Sequence, residues 1–380
     1  MSADRPLSIL HLHSYHLYTG AAEPLLNLIR AERARGHDSR LAVETVRPGD
    51  VIERAQALGV PIDPRFALSV KASPLLHLRD VLALKRVYRE GEVDIVHAHG
   101  SHDHTLAALA RLRGSKTRLV RTLHTERAAG RFRSWQLRRS DGLLAVALRF
   151  RTDLLRRGLL SEERIAAIEG AVDSAIYHPA PGQKVRDEFG VSSAVPVAGI
   201  VARMKPGRGH RWLLDSWERA VLRLPGARLF LAGRGELDKA LRERVQRSSL
   251  AGSVVFLGYR RDLPEVYRSL DLKILLSPGN DGTCRAGLEA MACGVPVLAA
   301  KKGALCEIVR PGQTGELVVW GDRQALADAL VRLLADRDRL RELGRAAREE
   351  TVTRFTLDRQ VTAVLHLYRQ VLSGQGERLI

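Results

Sequence analysis

Two carboxylates in the segment LLSPGNDGTCRAGLEAMACGVPVLAA, which runs from Leu275 to Ala300, stand in D-x7-E spacing as Asp281 and Glu289. They straddle the passage from a Gly-rich loop into a short helical pattern, with an apolar strand pattern on either side. A helix beginning near Cys284 would leave the amides of Thr283, Cys284 and Arg285 unpaired, and free amides at the positive end of a helix attract an anionic phosphate. Glu289, one to two turns in, would accept hydrogen bonds from sugar or ribose hydroxyls. Together these groups suit a sugar nucleotide. The same residues also fit a buried strand–helix–strand unit in which Asp281 caps the helix and Glu289 pairs with Arg285 one turn back. The local pattern leaves both readings open.

A loop of this kind needs strands that end on it, and the chain supplies them. LSILHLH, SRLAVET, DIVHAH, RLVRTLH and GLLAVA read as strands, separated by helical patterns at Pro24–Arg35, Leu75–Arg89 and Asp103–Arg113. Pro24 suits a first helical turn and Gly36 a helix end. After Asp173 the pattern breaks at SAIYHPAPGQK, the expected interdomain linker. A second series follows with PVAGIVA, RLFLAG, SVVFLG, LKILLSP, PVLAA and GELVV as strands, and helices at Trp212–Arg223 and Glu236–Arg247 between them. Such alternation implies parallel sheets covered on both faces by helices, with ligands at the carboxyl ends of the strands. The expected fold class is therefore α/β, with two doubly wound, Rossmann-like domains at 1–178 and 179–355. The helical stretch Leu357–Leu372, within 356–380, is expected to pack back on the first.

Composition agrees with two folded domains. The chain has 380 residues, 45% of them hydrophobic, too many for one ordinary core. No segment approaches the roughly 20 apolar residues of a membrane span, and the N-terminus lacks a signal-peptide pattern, so a cytoplasmic location is expected. The three cysteines, Cys284, Cys293 and Cys306, lack metal-ligand spacing and are expected to be small buried thiols. A formal charge of +18 is concentrated between Arg111 and Arg139, where basic side chains meet one acid, Glu126, and alternate with Phe132, Trp135 and Leu137. That pattern suits an interfacial helix and an anionic acceptor or acidic membrane surface, although a solvated face would also show it.

Read in order, TGAAE, VDIVHAHG, VRTLHT, SDGLLAVA…RIAAIEGAVD, VARMKPGRGH, LFLAGRGE, VVFLGYRRD and the D-x7-E block with EAMACGVPV resemble the GT-B-fold retaining glycosyltransferases of the sucrose-synthase and phosphatidylinositol-mannosyltransferase type, the family 4-like group. The resemblance covers nearly the whole chain. It implies two Rossmann-like domains facing across a cleft, a UDP- or GDP-linked sugar as co-substrate, and no cofactor or metal.

The resemblance also implies roles for residues. Gly20 would let backbone approach the pyrophosphate, although Ala21 stands where the family usually has a second glycine. Arg203 and Arg208 would hold the donor phosphates, guanidinium forks being suited to them. Gly233, Gly258, Tyr259, Arg260, Thr283, Cys284 and Arg285 fall in the remaining donor-binding segments. His124, Asp281 and Glu289 would serve at the transferred sugar. His97 and His99, on one face of their strand, together with Arg127 and Arg131, are acceptor-side candidates. Two departures stand out: Asp281 replaces the family's first glutamate, and Cys284 replaces a glycine beside the diphosphate.

These readings imply transfer of a hexose-type sugar to an acceptor hydroxyl with retention, in synthesis of cell-envelope glycan, lipopolysaccharide or glycolipid. The acceptor would be an anionic or lipid-linked saccharide, with peripheral association at acidic membrane. A GT-B protein that binds sugar nucleotides without turning them over fits the altered motif, and a GT-B epimerase is a further enzyme alternative. A nucleic-acid binder fits the charge alone, without a recognition motif.

Overall fold

The computed structural model describes residues 5–17, 22–124, 130–277 and 281–374, with the backbone alone at 281–283. Its contacts divide the chain into two units, Met1–Gly170 with Leu357–Ile380, and Ala171–Thr356.

The first unit begins with β1 (Ser8–His13), α1 (Ala22–Ala34), β2 (Asp38–Val43), α2 (Val51–Ala57) and α3 (Pro74–Glu90). It continues through β3 (Ile95–Ala98), α4 (Ser101–Ala110), β4 (Arg118–Leu123), α5 (Arg131–Arg138), β5 (Gly142–Ala145), α6 (Leu148–Arg156) and β6 (Ile165–Ala167). The second unit holds α7 (Gln183–Glu188), β7 (Val197–Val201), α8 (His210–Arg223), β8 (Arg228–Ala232), α9 (Asp238–Gln246), β9 (Val254–Gly258) and α10 (Leu263–Arg268). After these come β10 (Leu272–Leu275), α11 (Asp281–Ala292), β11 (Val297–Ala300), α12 (Leu305–Ile308), β12 (Gly315–Val318), α13 (Arg323–Ala335) and α14 (Arg337–Arg354). Helix α15 (Leu357–Leu372) returns to the first unit.

Each unit contains a six-stranded sheet whose paired strands run parallel, ordered β2-β1-β3-β4-β5-β6 in the first and β12-β11-β10-β7-β8-β9 in the second. The expected α/β class with two Rossmann-like parallel sheets is what the chain adopts. Helix ends follow local chemistry. Ser73 accepts from the Leu76 amide, Pro74 opens α3, and Gly91 closes it at φ 63. Strand β6 escaped the periodicity because three residues are too few to show it.

Alternation along the strands decides what each face of the first sheet buries. Leu10, Leu12 and Val96 pack with α3 and α4 residues in one core, whereas Ile9, Ile95 and Val120 pack with Leu28 of α1 and with Val364, Leu367 and Tyr368 of α15 in another. The next residues of that second face are His11, His97 and Thr122, set side by side by the pairing of His11 with His97 and of His97 with Val120.

The division between units falls at Gly170, ahead of the 178 expected from the proline-rich segment. Val172 donates its amide to the Phe355 carbonyl at 3.0 Å, and the Tyr177 carbonyl accepts from Arg348 at 3.0 Å. These bonds fasten the segment to the second unit before its prolines are reached. Cys284 and Cys293 are buried as expected, but Cys306 is exposed, because it sits on the four-residue helix α12 with only Leu305 and Ile308 turned inward.

Candidate functional site

The carboxyl ends of the first sheet gather histidines. His99 follows β3, and its position is set by Asp103, whose carboxylate accepts from the His99 and Gly100 amides at 2.8 Å each and from the Ser14 hydroxyl at 2.8 Å. The His11 ring bridges Glu32 of α1, at 2.8 Å from Nε2, and His99 Nε2, at 3.0 Å from Nδ1. His97 is fully buried, with Nδ1 2.6 Å from the Tyr368 hydroxyl and Nε2 2.6 Å from the Thr122 hydroxyl. It is therefore a structural residue and not the acceptor contact expected, because both ring nitrogens are engaged inside the core. His124 ends β4 partly exposed, its ring 5.9 Å from that of His99.

His13, at the end of β1, is wholly buried, and desolvation brings its pKa down to about 4. Burial, then His97 and His11, hold the pKa of His99 well below the usual histidine range. These rings are neutral at physiological pH. Nitrogens of His11, His97 and His99 lie within 4.8 Å of one another, a spacing that a metal ion can bridge, but in this structure they are hydrogen-bonded to one another and to Glu32, Tyr368 and Thr122.

In the second unit the loop after β7 carries a cationic cluster. Arg203 is exposed and Arg208 half-buried. Burial and the charge of Arg203 lower the pKa of Arg208, and burial together with Arg203 and Arg208 lowers that of Lys205. Mutual repulsion of this kind is relieved by a bound anion. Gly233, at the end of β8, has φ 139, and a Cβ there would lie 2.1 Å from the Ala202 carbonyl oxygen. Only glycine lets these two strand ends approach so closely.

After β9, Gly258 turns the chain at φ 69 and presents Tyr259, which is 55% exposed with the Arg234 guanidinium 4.6 Å above its ring. This flat cationic and aromatic surface suits stacking. Arg260 departs from its expected donor role. Its guanidinium is already held by Asp262 at 2.6 Å and Glu188 at 2.6 Å, so it braces the loop.

The D-x7-E block forms β10, α11 and β11. Helix α11 begins at Asp281, not near Cys284, so its first turn covers 281–284 and the Arg285 amide lies inside the helix. The side chains of Asp281 and Thr283 lie outside the described residues, as do Gly20 and Arg127. Cys284 is buried. Glu289 is 2% exposed; it accepts from the Tyr267 hydroxyl at 2.7 Å and has Arg285 3.4 Å away one turn back. The helix ion pair is thus formed. Beneath it lies Lys273 of β10, fully buried, its ammonium 5.6 Å from the centre of the Tyr267 ring, and desolvation lowers its pKa to about 7.

The basic segment is less open than its sequence suggests. Arg111 and Arg118 both reach Asp141, just past the segment, and Arg139 donates to the Ala108 carbonyl at 2.8 Å. Leu137 is buried. What remains outward on α5 is Arg131, Arg138 and the stacked rings of Phe132 and Trp135, 5.7 Å apart. Sequence reasoning missed Glu32, His11, Lys273, Tyr267 and Arg234. The HLH spacing in β1 repeats the HAH of β3 and would have pointed to His11.

Comparison with known proteins assigns the class. Residues 18–175 match the model of Glycosyltransferase Family 4, and residues 195–336 that of Glycosyl transferases group 1. The crystal structure of Anabaena HepE in complex with UDP is similar with a TM-score of 0.80 and 24% identity, covering 95% of this chain and all of that one. With the two parallel sheets, these matches define a GT-B glycosyltransferase, and the chain belongs to the family 4-like group. Among individual relatives, it is 28% identical to the phosphatidyl-myo-inositol mannosyltransferase of Mycobacterium leprae, over 95% of this chain and 96% of the relative. It is 26% identical to the lipopolysaccharide core biosynthesis mannosyltransferase LpsB of Rhizobium meliloti, over 80% and 86%. Among the described residues no helix is long and apolar enough to cross a membrane.

Proposed function

We propose that this protein transfers a hexose-type sugar, with retention, from a nucleoside diphosphate sugar to a hydroxyl of an anionic saccharide or lipid-linked acceptor in cell-envelope synthesis. The observation that carries the donor half is the cluster of Arg203, Lys205 and Arg208 at the carboxyl end of β7, where burial and the charge of Arg203 lower the pKa of Arg208, and burial and both arginines lower that of Lys205. A diphosphate placed there gains charge-assisted hydrogen bonds and stabilises its own departure. The first turn of α11 adds backbone amides, and Tyr259 with Arg234 offers a face for the nucleobase. No metal is required, since three cations already meet the leaving charge.

Envelope function is supported by the mannosyltransferase relatives named above, and an anionic acceptor by the outward Arg131 and Arg138 beside Phe132 and Trp135. Peripheral docking at the inner face of the membrane follows from the same helix. A binding protein without turnover is the second reading, favoured by the burial of Glu289 in its ion pair. Calorimetry with UDP and GDP, followed by NMR of the anomeric proton of the product, tests both. Binding without any transfer or donor hydrolysis selects the second reading, and an inverted product overturns retention.

A further inference from the structure

Glu32, His11 and His99 form a continuous hydrogen-bonded chain on the α1- and α15-facing side of the first sheet, and nothing in the donor chemistry above employs it. Its direction follows from what each group can do. A carboxylate only accepts, so the 2.8 Å contact to Glu32 places the hydrogen of His11 on Nε2. A buried N–H without an acceptor is costly, and His99 Nδ1 has no partner among the described residues, so the hydrogen of His99 sits on Nε2 and the 3.0 Å contact makes His11 Nδ1 the acceptor. The hydrogen of His99 is then used up, and its Nδ1 carries a lone pair. That atom is buried and has no hydrogen-bond partner among the described residues.

Neighbouring contacts support this order. Tyr368 donates to the second oxygen of Glu32 at 3.4 Å and receives from His97 Nδ1, which leaves His97 Nε2 to accept from Thr122. Burial and the surrounding imidazoles keep His99 neutral. A metal ion bridging the three rings would require His97 to give up one of its two bonds and His11 to release His99. The chain uses those bonds as they stand. Asp103 fixes the backbone of His99 from the other side, through the amides of His99 and Gly100. The ring is thus oriented from two directions, at the carboxyl end of a parallel sheet where such folds receive ligands.

We propose that Glu32 and His11 are positioning residues that hold His99 as its Nε2–H tautomer, so that His99 Nδ1 accepts a hydrogen bond from a hydroxyl of the bound saccharide. This rests on the saccharide-transfer reading above. The hydroxyl belongs either to the transferred sugar or to the acceptor.

Two-bond proton–nitrogen NMR of the full chain with 15N-labelled histidine reads the tautomer without any ligand. His11 and His99 are both expected as Nε2–H, with His99 Nδ1 in the lone-pair range. Glu32→Ala should convert His99 to a tautomer mixture, while Tyr368→Phe, which leaves the His11 contacts intact, should not. A protonated Nδ1 on His99 in the wild type, or an unchanged tautomer in a folded Glu32→Ala variant, overturns the proposal.

Saturation with UDP-glucose in one arm and D-inositol 3-phosphate in the other should move the His99 Nδ1 resonance in only one. That arm names the source of the hydroxyl. In Glu32→Ala the KM for the same substrate should rise about tenfold with a smaller change in kcat, the loss of one hydrogen bond. A resonance that moves in neither arm, with calorimetry showing either ligand bound, sinks the assignment. Absence of nucleotide binding is read separately and counts against the transferase reading, while the tautomer still judges the chain of bonds.

Discussion

Tyr267 donates its phenolic hydrogen to Glu289 across 2.7 Å, joining α10 to α11 two turns into the D-x7-E helix. The bond makes Glu289 part of the second unit's interior. A carboxylate in an open site would tolerate change, whereas this one is 2% exposed.

Glu289→Gln should therefore both impair donor use and lower stability, by roughly 1–3 kcal/mol, the cost of disturbing a buried hydrogen-bonded charge. Thermal melting decides: an unchanged Tm places Glu289 outside the packed interior.

Lys273 gives a pH dependence with a definite sign. Burial lowers its pKa from 10.5 to about 7. Between these values the unfolded chain holds a proton that the folded chain lacks, so this residue makes stability rise with pH across that window. Below 7 both states are protonated and its penalty is constant. Lys273→Met should melt higher than wild type at pH 7 and lose that rise up to pH 9.5. Parallel Tm profiles for the two proteins would show that Lys273 is solvated.

Arg208→Ala should weaken UDP or GDP binding by on the order of 1.5–3 kcal/mol, the range for hydrogen bonds to charged groups. Calorimetry at fixed ionic strength measures it, and unchanged affinity removes Arg208 from the phosphate site.

Gly233→Ala tests the close approach of the β7 and β8 ends. Its Cβ would meet the Ala202 carbonyl at 2.1 Å in a backbone conformation that side chains rarely adopt. A loss of more than about 1 kcal/mol in denaturant unfolding is expected. Nucleotide affinity should fall with it, because Arg203 directly follows Ala202. Wild-type values for both would mean that the loops part without cost.

Gln in place of Arg131 and Arg138 should lower binding to anionic vesicles at low salt and leave nucleotide affinity intact, since near an acidic surface each contributes about 1 kcal/mol. Vesicle sedimentation measures it. Equal binding to neutral and anionic vesicles by the wild type would reject the membrane version. Arg139, which ends the basic segment, is unsuitable for the test because it holds the Ala108 carbonyl.

The sequence by itself determined the order of strands and helices, the strand ends at which His124, Arg203 and Gly233 stand, and the place of the D-x7-E block. These depend on periods of two and 3.6 and on turn chemistry, all of which are local. Tertiary structure alone decided what each polar group meets. Arg111 and Arg118 find Asp141, Arg260 finds Glu188, and Glu32 of α1 meets Tyr368 of α15 from the far end of the chain. The register that sets His11 beside His97 turned two motifs separated in sequence into one buried cluster. Such pairings follow from strand order and helix packing, which a local pattern does not encode, and they separate a buried, paired charge from one left for a ligand.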